Sequence, residues 1–448
     1  LTFVFALKAC GVLADKEEAV LTEEECSIKS VSLQIGCAVH IDARRKGLES
    51  DVLVGSMLVS MYGKCGAVTE AEVVFSSLCQ RNIVSWNAML ATYVEQGEGE
   101  KTLSLFRQMQ EDGVGIDRHT LLFSLQACMA LFGDGQFIAV DRRRYIHMIL
   151  ELAHALHADA KRSGFSSDVF VGSTLVDMYA KCGLIFEAKQ VLKKLQVRNV
   201  VTWNALIGGL VKIGYGKEAL ISFQDMKLDH ICPDVVTFMY SLKACGICIL
   251  PEKGREIHSD IAKMGLLEGD PHIESALVNM YVDCGLLTEA YQVFVLLNVR
   301  DVVTWNTLIS GYIQYEHYEK ALNVYEWMDI SPNAITYGCI LKACGSVGSL
   351  EIGEEIDAKV RKQGLLQKDV VLGTALVDMY SKCGALKKAG EVFEYLPMQN
   401  VVSWSALISG YAQLGQINVV WNLYRRMRSE GVAPNFVTFT VMLNACSH

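Results

Sequence analysis

The strongest constraint on how this chain folds is that one stretch, residues 200–234 (VVTWNALIGGLVKIGYGKEALISFQDMKLDHICPD), returns in altered form along its whole length. Apolar residues fall at helical spacing twice within it: Val201, Trp203, Leu206, Ile207 and Leu210, then Ala219, Leu220, Phe223 and Met226. The breaker Ile213-Gly214-Tyr215-Gly216 separates the two stripes, so the unit reads as a helical hairpin. A hairpin of this size cannot bury both stripes by itself. It needs a neighbour stacked on either side, which is the logic of a solenoid.

Landmarks give the period. Trp86, Trp203, Trp305 and Trp404 open W-N or W-S segments at spacings of 117, 102 and 99 residues, and Cys65, Cys182, Cys284 and Cys383, each followed by Gly, repeat at the same spacings. The register is a triplet of about 102 residues holding units of 35, 36 and 31 residues. The first reads like 200–234, the second like 235–270 with the mark S-L-K-A-C-G, and the third like 169–199 with T-L-V-D-M-Y-A-K-C-G. This pattern resembles the pentatricopeptide repeat family of plants, in its subclass of alternating ordinary, long and short repeats, over essentially all 448 residues. Tetratricopeptide arrays use one constant length of about 34 residues. The resemblance implies an all-α fold, a right-handed α-solenoid superhelix of stacked helix-turn-helix repeats.

In this register the chain runs 1–51 (long), 52–82 (short), 83–117 (ordinary), 118–168 (long), 169–199 (short), 200–234 (ordinary) and 235–270 (long). It continues 271–301 (short), 302–333 (a shortened ordinary unit), 334–369 (long), 370–400 (short), 401–435 (ordinary) and 436–448, a truncated long unit. The first two long units carry about 16 and about 15 extra residues, around Leu13 to Leu33 and including Asp141-Arg142-Arg143-Arg144, expected in the inter-helix loop. The last unit is expected to leave Phe436, Phe439, Met442 and Leu443 exposed. Opening inside one repeat and closing inside another, the chain reads as cut from a longer protein, with any transit peptide upstream of Leu1.

Composition agrees with one repeat array. A chain of 448 residues would make about three globular domains, yet no linker rich in Pro, Gly or Ser divides it. Its apolar runs are far shorter than the ~20 residues of a membrane span. Most of the fifteen cysteines recur with the units: Cys10, Cys128, Cys245, Cys344 and Cys446 in one register, Cys65, Cys182, Cys284 and Cys383 in another. They read as small packing residues in a reducing compartment. The net charge of −9 is unfriendly to polyanion binding, but local distribution outweighs the sum, and residues 15–25 alone hold six acids against one lysine.

The informative column is the last residue of every unit: Asp51, Asn82, Asp117, Asp168, Asn199, Asp234, Asp270, Asp301, Asn333, Asp369, Asn400 and Asn435. Either residue caps a following helix, yet capping alone would also admit Ser and Thr, and neither occurs in the twelve. The fifth residue of the ordinary and short units is polar too: Ser56, Asn87, Ser173, Asn204, Ser275, Asn306, Thr374 and Ser405. In the long units that place holds Val4, Leu122, Met239 and Gly338.

Two side chains per helical repeat reading one nucleobase is how such arrays discriminate single-stranded RNA. Asn offers donor and acceptor while Asp offers acceptors only, so exchanging them changes which base edge is satisfied. The family's pairing rules, as the resemblance implies them, read Ser or Thr with Asn as adenine, Ser or Thr with Asp as guanine, Asn with Asp as uracil and Asn with Asn as a pyrimidine. The chain then specifies 5′-A-U-n-A-U-n-G-Y-n-A-A-3′ from its first short unit, with n opposite the long units.

By the same resemblance, the second residue of a unit wedges between bases: Leu53, Val84, Phe170, Val201, Val303, Val371 and Val402, with His272 departing from the pattern. The thirteenth position supplies Lys64, Lys181, Lys212 and Lys382 for phosphates, while Glu95 and Asp283 hold it elsewhere.

Catalytic motifs are thin. His272-Ile273-Glu274 matches half of a zinc deaminase signature but no C-x-x-C follows it, and the sole C-x-x-C, Cys245 to Cys248, lies upstream. No phosphate-cradling loop and no G-x-S-x-G is present. The sequence therefore predicts a sequence-specific binder of single-stranded RNA that needs no cofactor, metal, membrane or small-molecule substrate. By resemblance it acts in a plant mitochondrion or chloroplast, in RNA editing, processing or stabilisation, beside editing or processing proteins. The alternatives are a protein-binding solenoid of the tetratricopeptide type, and the recognition part of a C-to-U editing factor whose deaminase domain lies outside this chain.

Overall fold

The computed structural model describes residues 2–17, 20–21, 27–48, 50–133, 142–267, 270–297 and 299–446. Among them are twenty-five α-helices, and the sole strand pairing is a two-residue bridge, Val20 with Ile28 and Leu21 with Ser27, inside the first insertion. The chain forms two compact units, 1–240 and 241–448. Within each, helical hairpins stack so that the first helix of a repeat packs against the first helix of the next.

Helix boundaries follow from local chemistry. In every short and ordinary repeat the first helix has 13 residues, as in Val52–Lys64 and Val200–Lys212, and begins immediately after the Asp or Asn. Helix Val52–Lys64 stops at Cys65, and Gly66 then takes φ +81°, a left-handed conformation that glycine adopts without penalty. The Cys-Gly landmark is thus a helix stop. Pro251 and Pro271 sit at the first position of their helices, where no N–H is needed.

The insertions differ from the expected loops. In the second long repeat the helix that follows is Arg142–Arg162, 21 residues, against 13 in Pro251–Lys263 and Leu350–Lys362. Part of the extra sequence is therefore helix, with Arg142, Arg143 and Arg144 in its first turn; Asp141 lies outside the described residues. In the first insertion Glu17 accepts from the N–H groups of Val31 and Ser32, at 2.8 and 2.9 Å, and so caps helix Ser30–Arg45 from a distance in sequence. The shortened ordinary repeat loses its residues from the second helix: Tyr318–Glu326 has 9, where Gly99–Glu111, Gly216–Leu228 and Ile417–Ser429 have 13.

The core is a seam of repeated contacts. Trp86, Trp203, Trp305 and Trp404 are buried, three of them edge-on to Phe75, Phe294 and Phe393 at 5.1, 4.6 and 4.6 Å. Their indole N–H groups find no acceptor among the described residues, so these rings are retained for area rather than for a polar handle. First helices approach closely where a glycine faces the preceding short repeat: a Cβ on Gly209 would lie 2.5 Å from Ala180 Cβ, and one on Gly311 2.5 Å from Val282 Cγ1. Val201 leaves the apolar stripe and is exposed, while Trp203, Leu206, Ile207 and Leu210 stay in it. In the last helix, Phe436–Cys446, Phe436, Phe439 and Leu443 are exposed but Met442 turns inward, correcting the expectation for that residue.

One polar link recurs at each long-to-short junction. The buried hydroxyls of Tyr62, Tyr179 and Tyr281 meet Nδ1 of His40, His157 and His258 at 2.7, 2.9 and 2.8 Å, and Tyr380 donates to Asp357 at 2.9 Å. The two cysteine registers also meet here: the Cys284 and Cys383 thiols lie 3.8 Å from the carbonyl oxygens of Cys245 and Cys344. Burial pushes the Cys245 and Cys344 thiols up to about 12. They stay protonated and unreactive near neutral pH.

Gly209→Ala should destabilise the chain by about 1–3 kcal/mol through overpacking. Gly338→Ala, at a helix-interior site whose added Cβ meets nothing within 4 Å, should stabilise it by up to about 1 kcal/mol. Urea midpoints of the two variants should move in opposite directions. Glu274 stands buried where Gly55, Gly172 and Gly373 occupy the other short repeats, and burial, then the nearby Asp270 carboxylate, raise its carboxyl above the ordinary 4.5. A group held above its unfolded value is an increasing burden on the fold as pH rises past about 4.5, when the proton must leave. Glu274→Gln should therefore raise the melting temperature by a few degrees at pH 7 and by little at pH 4.

Candidate nucleic-acid interface

All twelve repeat-ending residues cap the helix that follows. Asp51, Asp168 and Asp369 each accept from two backbone N–H groups, at 2.9 to 3.1 Å. Asn400 accepts from those of Val402 and Ser403, and Asp270 from that of His272. Asn82, Asp117, Asn199, Asp234, Asp301, Asn333 and Asn435 each accept from the N–H three residues on. Capping is thus a role common to the whole column.

In three ordinary repeats the fifth and last residues touch. The Asn87 amide donates to Asp117 at 3.0 Å, Asn204 to Asp234 at 2.9 Å and Asn306 to Asn333 at 3.2 Å. A third group closes each pair, the hydroxyl three residues beyond the cap. Thr120 donates to Asn87 at 2.8 Å, Thr237 to Asn204 at 2.6 Å and Thr336 to Asn306 at 2.7 Å. Sequence reasoning missed this third member, although Ser or Thr stands there after eight of the twelve caps: Ser85, Thr120, Thr202, Thr237, Thr304, Thr336, Ser403 and Thr438, none more than 1% exposed.

Short side chains reach less far. Ser56, Ser173, Ser275 and Thr374 donate to the carbonyl one turn back, at 2.6, 2.6, 2.8 and 2.8 Å, which satisfies the hydroxyl within its own helix. Ser275 also lies 3.0 Å from Thr304 Oγ1, which bonds Asp301, and Ser405 lies 2.8 Å from Thr438 Oγ1, which bonds Asn435. In these repeats the buried threonine connects the fifth and last positions that the Asn residues join directly.

Charge at the pairs is set by hydrogen bonding. Burial works against ionisation of Asp117 and Asp234, but the donors from Asn and Thr outweigh it and hold both carboxyls below their usual range. Asp301 is lowered first by the Thr304 hydroxyl. At neutral pH these three are anionic acceptors, each held by neighbouring donors.

Flanking the pairs, Leu53, Val84, Phe170, Val201, Val303, Val371 and Val402 are exposed by 47 to 77%. His272 is exposed as well, and the Arg118 guanidinium lies 5.1 Å over the Phe170 ring. The second position of these seven repeats is thus left uncovered by the fold. The thirteenth-position lysines are mostly engaged: Lys64 with Asp15 at 2.6 Å, Lys181 with Asp177 at 2.6 Å and Lys382 with Asp378 at 2.7 Å. Lys212 is exposed and pairs with no acid among the described residues. Exposed ion pairs of this kind are worth about 0–1 kcal/mol, so a competing phosphate can take these lysines.

For the alternative chemistries, His272, Ile273 and Glu274 lie in the first turn of helix Pro271–Asp283, and no His, Cys, Asp and Glu cluster fit for a metal occurs among the described residues. Cys245 is fully buried with its thiol raised, the reverse of a reactive C-x-x-C cysteine.

Comparison with known proteins agrees with the geometry. The sequence model described as the PPR repeat family matches residues 81–129, 198–246, 300–346 and 399–448, and that of the PPR repeat matches 173–200 and 374–401. A mitochondrial pentatricopeptide repeat-containing protein of Arabidopsis thaliana is 34% identical over 420 residues, covering 93% of this chain and 39% of the relative. A chloroplastic one from the same plant is 32% identical over 424 residues, covering 94% of this chain and 66% of the relative. The chain thus spans less than two thirds of the length of these curated relatives. The crystal structure of the pentatricopeptide repeat protein PPR10 in complex with an 18-nt psaJ RNA element matches at a TM-score of 0.69 and 18% identity, covering 93% of this chain and 62% of that one. With its repeated hairpins, its capped junctions and these matches, the chain belongs to the PPR repeat family.

Proposed function

We propose that this chain binds single-stranded RNA by sequence, about one base per ordinary or short repeat, and that it performs no chemistry itself. The observation that carries the reading is the alternation, along the first helix of these repeats, of uncovered apolar side chains with polar pairs already held in place. Val201 is 58% exposed beside Asn204 and Asp234, and Val303 62% exposed beside Asn306 and Asn333. An apolar residue between polar pairs suits a nucleobase, which offers a flat face to the one and a hydrogen-bonding edge to the other. Ordering Asn and Asp before RNA arrives lowers the entropy lost on binding. The solved PPR10 complex, whose partner is an RNA element, supports the same reading.

The base assignments, the alternation of ordinary, long and short repeats and the target 5′-A-U-n-A-U-n-G-Y-n-A-A-3′ belong to this proposal. So does the process served, RNA editing, processing or stabilisation. The relatives named mitochondrial and chloroplastic support an organellar setting. The four lysines supply phosphate contacts, three of them by exchanging an acidic side chain for the RNA backbone.

Titration of the target and of a base-scrambled RNA across a salt series tests the reading. The target should bind at least tenfold more tightly, and Asn204→Ser with Asp234→Asn should move the preference at that base from uracil to adenine. Equal weak binding of both RNAs would remove base recognition. The buried hub gives a second test: Thr237→Val should cost about 1–3 kcal/mol of stability by leaving the Asn204 oxygen without its donor. It should also weaken uracil discrimination at that repeat more than overall RNA affinity.

A further inference from the structure

The repeat at 302–333 differs from its three counterparts on a surface that has no part in the base pairs. In the first ordinary repeat Lys101 lies 3.7 Å from Glu72, on the preceding short repeat, and the Tyr93 hydroxyl donates to the same carboxylate oxygen at 2.8 Å. In the equivalent register here, Lys320 and Tyr312 are kept but the acid is replaced by Tyr291. Lys320 is exposed and makes no ion pair among the described residues. The second helix also stops at Glu326, and Trp327 stands where the other ordinary repeats carry Gln108, Asp225 and Arg426.

Substitution and shortening together leave a notch of about 310 Å³. Tyr291, Tyr312 and Trp327 form its walls, with Val324, Asn323 and Lys320. No carboxylate among the described residues lines it. Trp327 is 63% exposed, and its ring centroid lies 6.5 Å from that of Tyr291 at 46°, too close and too tilted to sandwich a flat ring between them. Exposed apolar residues follow Tyr291 along the chain: Val295, one turn beyond it on the same helix, and then Leu296 and Val299, exposed by 46, 79 and 63%. The second short repeat has Lys193 and Lys194 in place of Val295 and Leu296.

We propose that this notch docks a protein partner presenting a bulky apolar side chain, with a carboxylate about one helical turn away. The apolar anchor fills the space beside Trp327, and the carboxylate takes the place at Lys320 that Glu72 holds at Lys101. Aromatic residues in a partly enclosed pocket, with exposed aliphatic side chains following on the same helix, are the composition of a protein-binding hot spot. A nucleotide would be served by a flat stacking face and more than one cation, whereas here a single lysine stands beside apolar side chains.

The test uses the whole chain and fluorescent alanine-based helical peptides bearing a central Trp or Leu with Glu, Gln or Lys four residues away. Fluorescence anisotropy should rank them Glu over Gln over Lys, with at least tenfold between the extremes. Trp327→Ala should abolish binding, and Lys320→Glu should invert the charge order. Both side chains are exposed, so both variants should keep the parent circular dichroism and melting temperature, and both should bind RNA as the parent does. That last readout separates this proposal from the RNA-binding one. Absence of peptide binding, indifference to charge or indifference to Trp327→Ala would overturn it. So would UMP or AMP binding that is lost in Trp327→Ala while the peptides fail to bind, since that would assign the notch to nucleotides.

Discussion

The rest of the structure depends on the junction where one repeat hands the chain to the next. A single Asp or Asn oxygen accepts the first free N–H groups of a helix, and in eleven of the twelve junctions a bond comes from the third residue on, which is the sole donor in seven. That third residue carries a hydroxyl in the same seven cases and in Ser403, and the hydroxyl is buried. The junction therefore fixes where each helix starts, and with it the direction of the fifth residue one turn later. Stacking of neighbouring hairpins then has little freedom left. Close approaches such as Gly209 on Ala180 tolerate almost no change in helix spacing.

Local electrostatics resolve the apparent conflict between a net charge of −9 and the polyanionic ligand proposed for the chain. Much of the acidity is spent at home. Asp117, Asp234 and Asp301 are held by donors of the adjoining repeat, while Glu394, Glu289 and Glu354 pair with Arg426, Arg255 and Lys388. The exposed face beside the polar pairs is mainly apolar. Acids stand in the lysine column at Glu95 and Asp283, both exposed, with carboxyls that partial desolvation raises from their ordinary values.

Much of the fold was legible in the sequence because periodicity and helix stops are local signals. The Cys-Gly landmark, the prolines at first helical positions and the tryptophan seam needed no knowledge of distant partners. What escaped was three-dimensional pairing between repeats. The Tyr62 to His40 link and its three counterparts join residues on different helices, and nothing in one unit's pattern announces them. The buried threonine is visible as T-W or T-F, but its role exists only when Asn204 comes in from the repeat before. The second insertion was read as loop because charged residues such as Arg142 to Arg144 satisfy an exposed helix as readily as a turn. Met442 was misplaced because an unpartnered helix still buries one face against the helix before it.

Because Asn and Asp cap a helix about equally well, the residue at each junction can change from one to the other without disturbing the hairpin it starts. The scaffold is therefore indifferent to a swap that alters the hydrogen-bonding character presented to a ligand. Mutation can wander between the two amino acids at little cost to the hairpin, least where no donor of a neighbouring repeat holds the carboxylate, and selection on binding weighs most in which is kept. A lineage of such chains would diversify its targets while its architecture stood still.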